Sequence, residues 1–149
     1  MNDSSATPTP TTPRHLWIVG ALALFWNSFG AFDYLMTETR NASYMSSFTP
    51  EQLAYFYAFP TWTIAAWAIG VWGGVLGSAL LLLRKRAATL AFGASLIAIA
   101  ITFLYNYALS DGFRIMGGTS ALAFSAAIVI VAAALLLYSR SLAAKSVLR

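Results

Sequence analysis

The sequence predicts an all-α integral membrane protein, a four-helix bundle with both termini on the cytoplasmic side. Three observations lead there. The 149-residue chain is 59% hydrophobic and 9% charged, whereas soluble domains are about 45–50% apolar and about 25% charged. Its apolar residues fall into four runs, each of about 20 residues, the helix length that crosses a hydrocarbon core of roughly 30 Å. Its cations sit at the ends of those runs, as membrane-flanking charges do.

Residues 1–14 open the chain as a polar, proline-punctuated tail, MNDSSATPTPTTPR, with nothing to bury, and they read as disordered. The membrane domain then occupies 15–139, with spans at about 16–36, 61–83, 87–109 and 119–138. The first apolar run is too long for a secretory signal and reads as a retained span. Residues 140–149 form a basic cytoplasmic tail. Orientation follows from Arg84, Lys85 and Arg86 in the turn between spans two and three and from Arg140, Lys145 and Arg149 after span four, because cations accumulate on the cytoplasmic side.

The first outer loop, Thr37–Pro60, carries a helix signal. Thr49 followed by Pro50 and Gln52 is a capping-box arrangement. It predicts either a short helix from Pro50 to about Phe59 lying at the membrane interface or a plain aromatic lead into span two. The Asn41-Ala42-Ser43 triplet suits an outward loop, and Asp111–Gly118 reads as a turn with glycine stops.

Span two places Ala66, Gly70, Gly73 and Gly77 on one stripe, with Gly74 beside it. Small residues at this spacing let a neighbouring backbone approach closely, which matters in lipid because hydrocarbon supplies no hydrophobic drive between helices. Span one has Gly20, Ala23, Asn27, Gly30 and Tyr34 at the same spacing, and span three has Ala91, Ser95, Ala98, Thr102 and Tyr105. The seams serve packing within the chain, or contact with a second copy or a larger membrane complex.

Polar residues collect toward the outer ends of the spans. Asn27 lies near the middle of span one, and Asp33 is about 9 Å further along at 1.5 Å per residue. A carboxylate inside a span is a functional candidate by default, with Arg114 or Arg40 as the alternative structural partner. Asn27, Asp33, Tyr34, Trp62, Tyr105 and Asn106, flanked by Thr61, Thr63 and Tyr107, are the candidate lining of an outward cleft for a polar organic ligand. The competing reading of the same residues is an aromatic belt.

Catalysis, cofactors and nucleic acid find no support. There is no cysteine, and His15 stands alone at the cytoplasmic boundary, so no metal-ligand spacing exists. The serines have no identifiable base and the glycines lie inside a span, so neither a nucleophilic triad nor a phosphate loop is indicated. The formal charge of +4 is spread over span ends rather than over a phosphate-tracking face.

The stretches LFWNSFGAFDYLM, FPTWTIAAWAIGVWGGVLGSALLLLRKR and SLIAIAITFLYNY resemble a group of small four-span bacterial inner-membrane proteins often labelled sugar transporters. The likeness covers most of Leu16 to Gly118 and is most specific at Trp26 and Asn27 with Gly30, at Pro60 and Trp62, and at Gly73 with Gly77. It implies a multi-pass protein of the bacterial inner membrane and assigns no catalytic or substrate residues. Two functions follow from the sequence. One is a non-catalytic membrane module that packs through its small-residue seams as a self-associating or accessory protein. The alternative is a small transporter or transporter subunit that binds a polar solute such as a sugar at the outer cleft.

Overall fold

Four long helices carry the chain back and forth in the computed structural model, which describes residues 11–149. They are α1 (Arg14–Glu38), α4 (Thr61–Leu82), α5 (Ala87–Leu104) and α7 (Thr119–Ala144), with the short helices α2 (Ala42–Met45) and α3 (Pro50–Tyr57) between α1 and α4, and α6 (Gly112–Met116) before α7. A π-helical turn, Tyr105–Leu109, extends α5. All regular elements of the described residues are helical, and four helical segments are long and apolar enough to cross a membrane. Most of the predicted tail, residues 1–10, lies outside the described residues.

The long helices pack in chain order. Helix α1 lies on α4, α4 on α5, and α5 on α7, whereas α1 and α7 share no extended interface. Helix α4 is central. In its most apolar stretch 33% of the residues are buried, against 6% in α7. Its small residues explain the position, because two neighbours approach its backbone from two sides. A side chain at Gly73 would meet Ser95 and Ala91 at 3.1–3.4 Å, and one at Gly77 would meet the Phe92 ring at 2.7–3.0 Å. Gly70 is equally covered by Ile99, and on the other side Asn27 of α1 fills the place a Gly74 side chain would take. The Gly70–Gly77 stripe is therefore used inside the chain, mainly against α5.

Hydrogen bonds fix these contacts. Ser95 Oγ donates to the Gly70 carbonyl at 2.6 Å, and Asn27 Nδ2 donates to Ser78 Oγ at 3.2 Å and to the Ala23 carbonyl at 2.8 Å. Away from water, such bonds are the polar fasteners between helices.

The Arg84–Arg86 end, hereafter the basic end, holds the apolar core. Leu16, Leu81, Ala88, Phe92, Leu135 and Leu142 cluster there. Helix α7 runs past the predicted Tyr138 to Ala144 because Ser139 and Leu142 are buried even though the sequence has turned polar. Residues 145–149 then fold back. Val147 and Leu148 join the core, Arg149 N donates to the Arg84 carbonyl at 2.7 Å, and Arg86 N donates to the Arg149 carbonyl at 2.9 Å. His15 is tied in as well, its Nδ1 lying 2.5 Å from the Tyr138 hydroxyl.

Helices α1, α4 and α7 end alike. In each, a residue at positive φ (Arg40, Arg84, Ser146) follows the last turn. The next backbone N–H reaches back five residues: Asn41 to Met36, Lys85 to Leu80, Val147 to Leu142. This is the Schellman closure, which satisfies the last carbonyls at the cost of a left-handed conformation.

Candidate functional site

At the opposite end the bundle opens. Because α1 and α7 do not pack along their length, the loop-end halves of the four long helices surround a cavity of about 820 Å³. Helix α1 contributes Phe25, Trp26, Asn27, Phe29, Gly30, Phe32 and Asp33, and α4 contributes Trp67, Gly70 and Val71. Helix α5 and its π turn supply Ile99, Thr102, Phe103, Asn106 and Tyr107, and α7 adds Phe124, Ser125 and Ile128. The spacing places these residues there. Asn27, Gly30 and Asp33 recur every three residues of α1, and Thr102 and Asn106 are four apart on α5, so each set shares a face. The gap between α1 and α7 is crossed by Trp26 and Phe124, whose ring centroids are 6.4 Å apart.

Asp33 is half-buried and lines this cavity together with a smaller one of about 200 Å³ beneath the loop helices. Its Oδ1 accepts from the Tyr44 hydroxyl at 2.6 Å. That bond, burial and the carboxylate charge push the Tyr44 hydroxyl up to about 12, with burial the largest cause. The ion pairs considered for Asp33 do not form. Arg114 instead pairs with Glu51 at 2.7 Å, and the Arg40 guanidinium lies 4.2 Å over the Tyr57 ring. Both cations are drawn to nearer partners in the loops, so Asp33 is held by a neutral hydroxyl, with no cation partner among the described residues.

Helices α2, α3 and α6 close the loop end. Asn41 caps α2 by accepting from Tyr44 N at 3.1 Å. Helix α3 has the capping box the sequence predicts: Thr49 Oγ1 accepts from Gln52 N at 3.2 Å, and Gln52 Oε1 accepts from Thr49 N at 3.1 Å. Gln52 Nε2 donates to the Ile115 carbonyl at 3.2 Å, which ties α3 to α6. The predicted turn at Asp111–Gly118 contains the short helix α6 and ends at Gly117 and Gly118, both at positive φ. Tyr55 donates to Asn106 Oδ1 at 2.7 Å and lies 2.7 Å from Ser110 Oγ, and burial raises its hydroxyl above the ordinary tyrosine value. Gly112 sits against the Asn106 carbonyl and the Tyr55 hydroxyl where any side chain would collide. The π turn is thus clasped from the loops. Such turns offset the residues that follow them and recur at functional sites.

Of the six candidate cleft residues, the structure brings Asn27, Asp33 and Asn106 to the cavity. Tyr34 packs edge-on against Trp67, centroids 5.1 Å apart, and Trp62 and Tyr105 pack edge-on against each other at 5.4 Å. These three sit beside the cavity wall rather than on it, Tyr34 behind Trp67, which does line it. Thr63 is fully buried with its hydroxyl unpartnered, and Thr61 is exposed. Sequence reasoning missed Trp67, Phe103 and the whole α7 wall. The available signal on α7 was Ser125, a polar residue well inside an apolar run, which the structure pairs with the Tyr107 hydroxyl at 2.8 Å. Among the described residues no three His, Asp or Glu side chains come together in a way that holds a metal ion.

No protein-family model, curated protein or solved structure matches the chain. The cavity has mainly aromatic and aliphatic walls, with hydrogen-bonding groups at Asn27, Thr102, Asn106, Tyr107 and Ser125 and one carboxylate.

Proposed function

We propose that this protein is a small, non-catalytic, multi-pass protein of the bacterial inner membrane that binds a small molecule in the cavity between α1 and α7, acting as a membrane binding module. The observation that carries this reading is the cavity itself. At about 820 Å³ it is in the range of sites that enclose a small organic ligand, roughly 300–1,000 Å³, with mostly apolar walls and a few placed polar groups. The α4 glycine stripe, by contrast, is engaged by α5 and α1 and is not free to receive a partner. The transporter alternative requires a polar route through the basic end, and the side chains that fill that end are Leu16, Leu81, Phe92 and Leu135.

In this reading both termini and the Arg84–Arg86 turn are cytoplasmic, α3 lies at the outer interface, and the cavity belongs to the outer half. The likeness to four-span inner-membrane proteins at Trp26–Gly30 and Gly73–Gly77 fits the same placement. Topology is testable because the chain has no native cysteine. A membrane-impermeant maleimide added to intact cells should label Ser43→Cys and spare Ser141→Cys, and the reverse pattern would invert the orientation.

The binding function is tested by native mass spectrometry of the full chain in nanodiscs. The wild type is expected to retain a small-molecule or lipid adduct that Ser125→Trp, which fills the cavity, loses while keeping its helical content and a melting temperature within a few degrees. Equal adducts on both proteins would remove the cavity from the function.

A further inference from the structure

The cavity combines two features that restrict what it can hold. The first is charge. Asp33 is the single charged side chain on its wall, and no Lys, Arg or His among the described residues lines it. The loop cations closest in sequence are committed elsewhere, Arg114 to Glu51 and Arg40 to the Tyr57 ring. Asp33 Oδ1 accepts from Tyr44, and Oδ2 has no hydrogen-bond partner among the described residues. A carboxylate at this depth gains most from a cation, because an unpaired charge in an apolar surround is costly.

The second feature is the wall around it. Phe29, Phe32, Tyr44, Trp67, Phe103 and Tyr107 line the same cavity. Their ring faces carry negative quadrupole potential, which attracts organic cations and adds nothing for anions. A sugar would ask for a hydrogen-bonding group opposite each hydroxyl. Most of this wall offers carbon.

Access has a direction as well. The cavity is bounded by α1, α4, α5 and α7, and the only side without helix-on-helix packing is the one between α1 and α7, crossed by the Trp26 and Phe124 rings. Phe25, Phe29 and Phe124, which flank that gap, are 60–66% exposed on apolar helix faces. A molecule dissolved in the bilayer meets this side first.

Building on the cavity reading above, we infer that the occupant is a lipophilic organic cation, an amine or quaternary onium compound, that enters from the bilayer between α1 and α7 and takes Asp33 as its counter-ion.

Two ions of the same shape and opposite charge test this. Equilibrium binding of tetraphenylphosphonium and of tetraphenylborate is measured on the full chain in nanodiscs of neutral lipid, with empty nanodiscs subtracted. The phosphonium is expected to bind saturably and at least about tenfold more tightly than the borate, a difference of about 1.4 kcal/mol. Asp33→Asn preserves size and still accepts from Tyr44, and it should lower phosphonium affinity roughly tenfold with an unchanged circular dichroism spectrum. Ser125→Trp should abolish binding of either ion.

Unchanged phosphonium binding in Asp33→Asn, or equal binding of the two ions, overturns the cation assignment. If Ser125→Trp still blocks both ions in that case, the cavity reading survives alone. Absence of saturable phosphonium binding also overturns the assignment, and the adduct measurement then judges the cavity reading independently. Should Asp33→Asn fail to fold, Tyr107→Leu with Phe103→Leu serves instead, since thinning the aromatic wall must weaken the phosphonium more than the borate.

Discussion

At the basic end Leu16, Leu81, Phe92 and Leu148 are no more than 2% exposed, and the final residues of the chain are pinned to the Arg84–Arg86 turn by backbone hydrogen bonds. At the loop end the same four long helices stand around about 820 Å³ of space, and Phe25, Phe29 and Phe124 face outward. The difference comes from side-chain choice along α4 and α5. Below Gly74, a glycine faces Phe92 and large aliphatic side chains interlock. Above it, α1 and α7 do not close on each other, and Trp67, Phe103 and Tyr107 line the space that is left. Close packing and an open site can therefore share one bundle, because each is specified by a different stretch of the same helices.

The comparison is broken most directly at Phe92. Phe92→Ala should destabilise the protein by about 3–5 kcal/mol, and Phe29→Ala at the cavity rim by less than about 1 kcal/mol; thermal unfolding in detergent reads both. Similar losses at the two sites would mean that the ends are equally packed. Next in size is Gly77→Leu, which drives a side chain into the Phe92 ring and should cost about 2–3 kcal/mol. Ser125→Leu, which adds its bulk toward the cavity and gives up the bond to the Tyr107 hydroxyl, should cost only about 1 kcal/mol.

A smaller effect sharpens the role of polar fasteners. Ser95→Ala removes the bond to the Gly70 carbonyl and should cost about 1 kcal/mol. The smallest is a pH effect at the loop end. The Tyr44 hydroxyl is raised from 10.0 to about 12 in the folded protein, so the folded state favours its protonated form. That contribution is fully present below pH 10 and is lost as pH rises toward 12. Between these values the wild-type melting temperature should fall more steeply than that of Tyr44→Phe, and parallel slopes would show that neither burial nor Asp33 holds the Tyr44 hydroxyl in its protonated form.

The four long helices were legible because each is a long apolar run, and the sequence limits at 61–83 and 87–109 lie within a residue of the observed helical segments. The α3 cap was legible because its donors and acceptors are three residues apart. Hydropathy fell short at α7, where Ser139 to Ser141 look like an exit from the membrane although Leu142 is buried beyond them. The site was half legible. Asn27, Asp33 and Asn106 were identifiable as polar groups within spans, but which aromatic side chains face them depends on helix rotation. A stripe of small residues, likewise, does not say whether its partner is another helix of the same chain. Asp33's partner was missed because Tyr44 sits on α2, a single turn too short to have a periodic signature.

The order of packing, α1 on α4, α4 on α5, α5 on α7, also describes a route of assembly. Each span, as it leaves the ribosome, finds its main partner already in the membrane as the long helix just before it, so the loops to be closed are short and their entropic cost is small. No helix has to wait for a distant sequence to arrive. The contacts that join the beginning of the bundle to its end, His15 with Tyr138 at the basic end and Trp26 with Phe124 at the cavity, are on this scheme the last to form.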